Sequence, residues 1–305
     1  MFGTLFTGHF CPKCLYHLLL LVFFMSIQAS RVQSPSSINT FKQCPRKYYY
    51  QYVERLPTGT SIHLVRGGIV HKVLEDFYDV DLVDERTRNF RFLHLRALSL
   101  LKRYWDQNAE LKNLGLSDEE LQAYYDESVL MIQRWFDRLK KKLLARMEQG
   151  ESFVEAFKNL TPRREEEYRS EEFMVRGFVD VIHELDGQVI VMDYKTSKSS
   201  HITDEYRLQL AIYAMLYEEK HGRKPDYVGI DFLKSVEQVL KVDDDLVKQA
   251  KFEIEQVHAS TLSKRIEDYP QRPSPLCKWR TGQCDFYDLC FGGMTVEEFR
   301  RRAKK

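Results

Sequence analysis

Two apolar runs joined by an Asp-Gly pair decide the fold of this chain: FMVRGFVDVIHEL at 173–185, Asp186-Gly187, and QVIVMDYK at 188–195. Asp-Gly between two apolar runs is the strongest short-range signal for a β-hairpin with a two-residue turn. With those two residues in the turn, Asp180 lies directly opposite Asp193. The sequence therefore predicts two carboxylates that face each other across a hairpin, among neighbours that are mostly apolar.

A cation must compensate this arrangement, because like charges directly opposite on one face destabilise a sheet. Lys195 lies two residues beyond Asp193 and so projects from the same face. One interpretation is a buried ion pair of Lys195 with one aspartate, the other aspartate being solvated at a strand end. The other is a divalent-metal site, because Mg²⁺ and Mn²⁺ are commonly held by one or two carboxylates. The residues alone leave both open.

The segments on either side of the hairpin predict an α/β protein. Ser36 or Ser37 is expected to cap a short helix that ends before Pro45. Apolar residues at helical spacing predict helices at 69–77, in a long helical subdomain from about 88 to 160, at 204–221 and at 243–265. Strand-like runs are YVGIDFL at 227–233 and VEQVLKV at 236–242. The order strand, strand, helix, strand, strand indicates a core with a central mixed sheet flanked by helices.

Composition excludes several classes of protein. The chain has 305 residues, 43% of them hydrophobic, which excludes a disordered chain or a collagen-like fibre. Its 46 Lys+Arg and 45 Asp+Glu leave a formal charge of +1, so local patches must hold any polyanion. Six cysteines are too few for a disulfide-stapled secreted module, which favours a reducing, cytoplasmic setting and a metal or cluster role.

Residues 1–34 are interpreted as a leader. The apolar run LYHLLLLVFFM at 15–25 is shorter than the roughly 20 residues that a membrane span needs, so no stable membrane association is expected. The run is compatible with a signal peptide. The interpretation that we favour is a start at Met25, with residues 1–24 a mis-assigned or dispensable extension. Cys11 and Cys14 form CPKC without a surrounding βαβ pattern, which argues against a thioredoxin-like role.

The remaining cysteines are Cys44 and a C-x6-C-x5-C group of Cys277, Cys284 and Cys290. Structural zinc sites usually contain a pair separated by two to four residues, and no such pair is present in these four. Irregular spacing of four thiolates is compatible with an iron-sulfur cluster. Buried thiols without a ligand are the alternative.

Five motifs, in order, resemble those of the PD-(D/E)xK nuclease superfamily. GFVDVI at 177–182 and DYKTS at 193–197 resemble its D…(D/E)xK signature. Four further segments resemble its RecB-like branch, namely the Cys-Pro-Arg motif, the histidine helix, the Q-x-x-x-Y motif and the cysteine cluster: INTFKQCPRKYYYQYV (38–53), GGIVHKVLEDFY (67–78), QLAIYA (209–214) and CKWRTGQCDFYDLC (277–290). D-x-K alone is a weak signal, whereas the ordered set is specific. The chain is similar to CRISPR-associated RecB-like exonucleases and AddB-type nuclease domains.

The resemblance implies a restriction-endonuclease-like fold and a metal-dependent active site. It implies that Mg²⁺ or Mn²⁺ is held by His71, Asp180, Asp193 and the backbone carbonyl of Tyr194. Lys195 would position the attacking water and stabilise charge in the transition state. Gln209 and Tyr213, which are i, i+4 on one helix, would contact substrate or hold the geometry of the site.

The resemblance also implies a 4Fe-4S cluster on Cys44, Cys277, Cys284 and Cys290, although the family more often has two residues between the first two C-terminal cysteines. Such a cluster would join distant parts of the chain rather than catalyse. The expected organisation is a nuclease domain at 35–293 and a basic tail at 294–305. Within the domain we expect a helical insertion at 88–160, a catalytic core at 161–241 and the cysteine cluster at 277–290.

The function expected from these features is hydrolysis of phosphodiester bonds in DNA, as an exonuclease on single strands, in repair, recombination or CRISPR adaptation. The expected partners are DNA, a helicase or CRISPR adaptation proteins. Candidate DNA contacts lie in two clusters of cations and aromatics: Arg46, Lys47, Tyr49, Arg163 and Arg164. The tyrosine could equally belong to a core beside the cysteines. The alternative function is a non-catalytic DNA-binding or scaffold subunit that keeps the fold and the cluster.

Overall fold

The computed structural model describes residues 28–280 and 282–303. Its centre is a five-stranded sheet in the order β1-β2-β3-β4-β5. The strands are β1 (Arg163–Ser170), β2 (Val175–Leu185), β3 (Gln188–Lys195), β4 (Tyr227–Phe232) and β5 (Glu237–Lys241). β3 and β4 run parallel and the other neighbours antiparallel, so the sheet is mixed. The predicted fold class, an α/β restriction-endonuclease-like core with a mixed sheet between helices, is confirmed.

The predicted hairpin register is confirmed. Leu185 pairs with Gln188, and Val181 pairs with Met192 at the other end of the ladder. Asp186 and Gly187 have φ values of 52° and 80°, the combination that a tight hairpin turn of this hand requires. Arg146, from a long helix packed over the sheet, lies 2.9 Å from the Asp186 carboxylate and holds the turn.

Strand β1 was not predicted. Its sequence, RREEEYRS, is almost entirely polar, and only Tyr168 and Ser170 are buried. β1 lies at the edge of the sheet, where one side of a strand has no neighbour and charged side chains are common. The alternation of apolar residues that marks the other strands is therefore missing here.

Helices cover both faces of the sheet. On one face lie α8 (Asp204–His221) and α9 (Asp244–Ser260). The other face is covered by α3 to α7, which include the predicted helical subdomain: α3 (Ile62–Phe77), α4 (Phe90–Gln107), α5 (Ala109–Lys112), α6 (Asp118–Glu148) and α7 (Phe153–Leu160). The hydrophobic core is accordingly divided in two by the sheet. α9 ends at Ser260, five residues before the predicted end.

A third apolar cluster, which we call the cysteine lobe, forms where the two ends of the described chain meet. Its core is Tyr48, Tyr49, Tyr50, Leu56, Tyr269 and Phe286. The first elements are α1 (Pro35–Gln43) and α2 (Pro45–Tyr48), which continues as a π-helical turn at Tyr49–Val53. The last are β6 (Lys278–Trp279), β7 (Gly282–Gln283), α10 (Tyr287–Phe291) and α11 (Val296–Arg302).

The boundaries of this lobe differ from the predicted ones at both ends. Ser34 caps α1, rather than Ser36 or Ser37, because Pro35 occupies the first helical position that proline favours. Gln33, assigned to the leader, is fully buried and bridges Val175 at the start of β2. In the basic tail, α11 packs on the lobe, and Arg300 lies 2.7 Å from Glu54.

The predicted signal or leader segment at 1–24, with its apolar run and Cys11-Cys14, lies outside the described residues. In residues 28–280 and 282–303, none of the helices combines the length and apolar character that crossing a bilayer requires.

Gly187 tests the hairpin turn, because a side chain at φ 80° is strained. We expect Gly187→Ala to lower the free energy of unfolding by about 1 to 2 kcal/mol. The matched control is Gly68→Ala in α3, where an added Cβ meets nothing within 4 Å and helix propensity improves. Chemical denaturation of both variants measures the difference, and equal stability of the two would contradict the turn assignment.

Candidate active site

The site is built around Asp193 and Lys195 at the end of β3. The Asp193 side chain is only 4% exposed, and its Oδ2 lies 2.6 Å from Lys195 Nζ. Its Oδ1 accepts a hydrogen bond of 2.6 Å from Gln209 Nε2 on α8. A buried carboxylate is stable only when charge and hydrogen bonds compensate it, and here both are supplied by residues that the sequence analysis singled out.

Asp180 and His71 complete the group from the neighbouring strand and from α3. Asp180 Oδ2 accepts the Tyr194 amide hydrogen at 2.7 Å, and lies 3.4 Å from His71 Nδ1. This bond from the Tyr194 amide fixes Asp180 against β3, beside Asp193. His71 lies on the face of α3 that packs over the sheet, as its position next to the apolar stripe predicted.

The strand carrying Asp180 is irregular at this point. Val179 and Ile182 pack into the core on the α8 side, whereas Val181 packs into the core on the other side. Residues two apart in a regular strand share a face, so the alternation of β2 shifts between Val179 and Val181. Asp180 lies at that shift.

Glu165 on β1 is a site residue that sequence reasoning missed. The pairs on either side of it, Arg164 with Val181 and Glu166 with Val179, place it opposite Asp180. Its φ of 48° is unusual for a residue other than glycine. Glu165 could have been placed opposite Asp180 only if β1 had been predicted as a strand. The run Glu165 to Glu167 lacks the alternation of apolar residues that predicts one.

Three of these side chains are of the types that bind metal ions in proteins. His71, Glu165 and Asp180 each offer a ligand atom, and these atoms lie within 4.8 Å of one another. An imidazole with carboxylate oxygens suits Mn²⁺ and Mg²⁺. Asp193, predicted as a ligand, is not one of these three, and its two oxygens lie beside Lys195 and Gln209. The residues therefore fit a divalent cation.

Burial and mutual repulsion shift the pKa values of the carboxyl groups upwards. Burial, and then the charge of Asp180, raise the pKa of Asp193 to about 6, against the opposing effect of Lys195. Partial burial of its carboxyl group, and then the charge of Asp180, raise the pKa of Glu165 to about 7. These groups repel each other as anions, and a bound cation would relieve that repulsion.

The pKa values of the two basic groups, His71 and Lys195, are also raised, which favours their charged forms. Burial lowers the pKa of His71, but its hydrogen bond to Asp180 and the charges of Asp180 and Asp193 outweigh that effect, so the pKa is raised. Burial likewise opposes the charge on Lys195, and its contact with Asp193 raises the pKa above the ordinary value. Lys195 is thus held as an ammonium ion beside Asp193.

Gln209 and Tyr213 on α8 act on Asp193 as a pair. Gln209 Nε2 donates both to Asp193 and to the Tyr213 hydroxyl, which is 2.9 Å away. Both residues lie on the face of α8 that packs on the sheet, with Tyr213 buried. Their i, i+4 spacing brings the two side chains together, and their hydrogen bonds orient the Asp193 carboxylate. The resemblance implied this role, holding the geometry of the site, as one of two.

The four cysteines of the predicted cluster converge in the cysteine lobe. Cys44, Cys277, Cys284 and Cys290 line one pocket, together with Lys47 and Arg272. Each is partly exposed and none is in a disulfide. Four thiols that share one pocket are a donor set that fits an iron-sulfur cluster.

A comparison of sequence families decides the membership of the chain. The sequence model of the PD-(D/E)XK nuclease superfamily matches residues 33–291. This chain belongs to the PD-(D/E)XK nuclease superfamily. The match includes every residue of the active site and all four cysteines of the lobe.

Two individual proteins are similar to this superfamily member. CRISPR-associated exonuclease Cas4 of Francisella tularensis subsp. novicida (strain U112) is 28% identical over 124 residues, which are 40% of this chain and 59% of Cas4. The chain thus matches about three fifths of the length of that relative. The crystal structure of a candidate exonuclease from Eubacterium rectale aligns with a TM-score of 0.43 and 14% identity, over 94% of this chain and all of that one.

The candidate DNA contacts of this nuclease-superfamily chain mostly form hydrogen bonds or ion pairs within the fold. Arg46 donates to the Tyr269 carbonyl at 2.7 Å, and Tyr49 is buried and donates to Glu54 at 2.9 Å. Arg163 lies 2.5 Å from Glu166, and Arg164 pairs with Asp79 at 2.9 Å. These four hold the fold together. Lys47 lines the cysteine pocket.

The raised pKa of Glu165 predicts a pH-dependent effect in the metal-free protein. The folded state keeps the Glu165 proton up to about pH 7, whereas the ordinary pKa is 4.5, so stability is lost as pH rises through this window. Glu165→Gln removes that loss. We expect its stability advantage over wild type to grow by about 1 kcal/mol between pH 5 and pH 8, after allowance for solvent screening.

Chemical denaturation in EDTA at the two pH values measures this difference. Glu167→Gln on the same strand is the matched control, since Glu167 lies opposite Phe178 and forms an ion pair with Arg176 at 3.4 Å. A pH-independent difference between Glu165→Gln and wild type would contradict the proximity of Glu165 to Asp180.

Proposed function

We propose that this chain is a metal-dependent DNA nuclease that hydrolyses phosphodiester bonds, acting as an exonuclease on single-stranded DNA. The observation that carries the proposal is the meeting of His71, Asp180, Asp193 and Lys195 at one partly buried point. A fold alone would not require a buried Asp193 beside a second aspartate. Membership of the nuclease superfamily supports the same reaction.

The proposed metal residues are His71, Glu165, Asp180 and Asp193, together with the carbonyl of Tyr194. Mg²⁺ or Mn²⁺ bound there would lower the pKa of a water molecule and neutralise charge on the scissile phosphate. The short distances among the ligand atoms of His71, Glu165 and Asp180 support this assignment. Burial, and then the negative charge of Asp180, raise the pKa values of both Asp193 and Glu165.

The other residues act on substrate and on Asp193. Lys195 would donate to the attacking water and to the phosphate, as a compact ammonium group can. Gln209 would keep the Asp193 carboxylate in one orientation, and Tyr213 would in turn hold Gln209, through the hydrogen bonds described. These two are positioning residues.

A role in CRISPR adaptation, or in DNA repair or recombination, is the proposed setting. The similarity to CRISPR-associated exonuclease Cas4 supports it over the aligned 124 residues. In that setting the partners would be adaptation proteins or a helicase that supplies single strands.

The nuclease proposal predicts the effect of two substitutions. We expect Asp193→Ala and Lys195→Ala to reduce cleavage of end-labelled single-stranded DNA by at least about a hundredfold, because each removes a group that stabilises the transition state. DNA binding should largely survive. The measurement is a gel assay with Mn²⁺ or Mg²⁺, repeated in EDTA, where wild-type cleavage should also stop.

The matched controls are Asp245→Ala and Lys248→Ala on α9, which change the same residue types in an exposed ion pair of 3.4 Å. Both should cleave at the wild-type rate. Retention of most activity in Asp193→Ala or Lys195→Ala would overturn the mechanism. Wild-type protein that binds DNA but never cleaves it would instead favour the non-catalytic DNA-binding subunit.

We also propose that Cys44, Cys277, Cys284 and Cys290 hold an iron-sulfur cluster of the 4Fe-4S type. The shared pocket supports it. Burial, and then the neighbouring Cys44, raise the pKa of Cys290 to about 11. As cluster ligands these thiols would be thiolates, whose negative charge iron would balance.

The cluster proposal predicts iron, labile sulfide and added stability. We expect Cys277→Ser to lose most of the iron and sulfide of anaerobically purified protein. It should also melt on the order of 5 °C lower, because the cross-link between distant parts of the chain is lost. Ser260→Ala, at the exposed end of α9, is the control and should keep the full content. Wild-type protein with iron and sulfide near zero would contradict the proposal.

A further inference from the structure

Strand β5 (Glu237–Lys241) is an open edge of the central sheet. It pairs with β4 on one side, and in the part of the chain that the structure describes no strand lies on its other side. An exposed edge presents N–H and C=O groups that can pair with another strand. The opposite edge, β1, is interrupted at Glu165 by a positive φ, whereas no residue of β5 has one. β5 is therefore the regular edge of the sheet.

The hydrogen bonds between β4 and β5 show which backbone groups point to the open side. The Val242 amide donates to the Asp226 carbonyl at 3.0 Å, and the Phe232 amide donates to the Val236 carbonyl at 3.1 Å. In an antiparallel pair the residues that bond to the partner strand alternate along the chain. Even-numbered residues therefore bond to β4. The backbone groups that point to the open side belong to the odd-numbered residues of β5: Glu237, Val239 and Lys241.

The side chains of these three residues project from one face of the sheet, since alternate residues of a strand share a face. Val239, in the centre, is 52% exposed. Lys241 is exposed and forms no ion pair with any other described residue, and Glu237 accepts a hydrogen bond from Lys142 of α6 at 2.7 Å through Oε1. Glu237 and Lys241 lie roughly 13 Å apart along the strand, too far to pair with each other. The edge thus carries opposite charges at its two ends with an apolar side chain between them.

A second copy of the same edge fits this order of side chains. When two β5 strands run antiparallel about Val239, Glu237 of one copy lies opposite Lys241 of the other at both ends. The outward-pointing backbone groups of the two copies then meet as hydrogen-bonded pairs. Opposite charges directly across two antiparallel strands stabilise the pairing. A shift of two residues would place charged side chains opposite Val239 and lose both charge pairs, so the arrangement selects one register.

We infer that β5 is a self-association edge, through which two copies of this chain join their central sheets into one continuous sheet. A lysine on an edge strand ordinarily discourages pairing, but in this register a glutamate of the other copy lies opposite it. The interface is isologous, because each copy contributes the same residues. None of the contacts described for the three edge residues involves the carboxylate site, so the inference is independent of the proposed nuclease function.

Sedimentation velocity of the full chain, purified anaerobically and without DNA, tests this inference. We expect a concentration-dependent dimer at protein concentrations up to about 100 μM. Lys241→Glu places like charges opposite each other at both ends of the junction, so the dissociation constant should rise at least about tenfold. Lys248→Glu on α9 makes the same change of charge at an exposed residue, and this matched control should dimerise like wild type.

Charge complementation tests the register. Glu237→Lys should also weaken the dimer. A mixture of Glu237→Lys and Lys241→Glu proteins should form a mixed dimer with close to wild-type affinity, because opposite charges again face each other at both ends. Val239→Pro keeps both charges and removes only an amide that points outwards, a position at which an edge strand tolerates proline. This variant should melt like wild type and dimerise more weakly.

Hydrogen exchange locates the interface. At high protein concentration the amides of Val239 and Lys241 should exchange more slowly in wild type than in Lys241→Glu. A wild-type dimer in which these amides are unprotected would overturn the inference, and so would charge-reversed variants that fail to form a mixed dimer. Wild-type protein that stays monomeric at every concentration would overturn it as well, and would leave this edge to a strand of another protein.

Discussion

The burial of Asp193 beside Lys195 is the interaction on which the rest of the active site depends. A carboxylate that is almost fully withdrawn from water must be neutralised and hydrogen-bonded, or its cost exceeds what the surrounding packing can supply. Lys195 supplies the charge from the same strand, and Gln209 supplies the hydrogen bond from α8. Asp180 adds a second negative charge nearby, which Lys195 alone does not balance.

Much of the fold and half of the site follow from local sequence rules. The Asp186-Gly187 turn determines the register of the hairpin, so the proximity of Asp180 and Asp193 could be predicted from the order of the residues alone. His71, Gln209 and Tyr213 followed from helical spacing together with the family resemblance. Glu165 could not be predicted, because it belongs to an edge strand whose charged sequence gives no strand signal. Arg163 and Arg164 illustrate the same limit: the sequence predicts a DNA contact for this basic pair, but not their ion pairs with Glu184 and Asp79, which are distant in the chain.

The protein has two candidate functional sites in different parts of the fold. The carboxylate site lies on the central sheet, and the cysteine lobe lies where the first and last described elements meet. The link between them is short, since the Gly59 amide bonds to Asp285 just before α3 begins. A near-zero net charge hides this division, because acidic residues dominate at the sheet and the lobe combines thiols with cations. Overall charge is therefore a poor guide to what such a protein binds.

The construction of the lobe also has a consequence for synthesis on the ribosome. Cys44 leaves the exit tunnel early, whereas Cys290 and the segment that packs on Tyr50 leave it about 240 residues later. The sheet and its helices can associate in the meantime, but the contact that anchors the loop before α3 cannot form until Asp285 has been added. Contacts between such distant residues are slow to form. The cysteine lobe is thus completed only at the end of elongation, after the strands and helices that carry the carboxylate site have been synthesised.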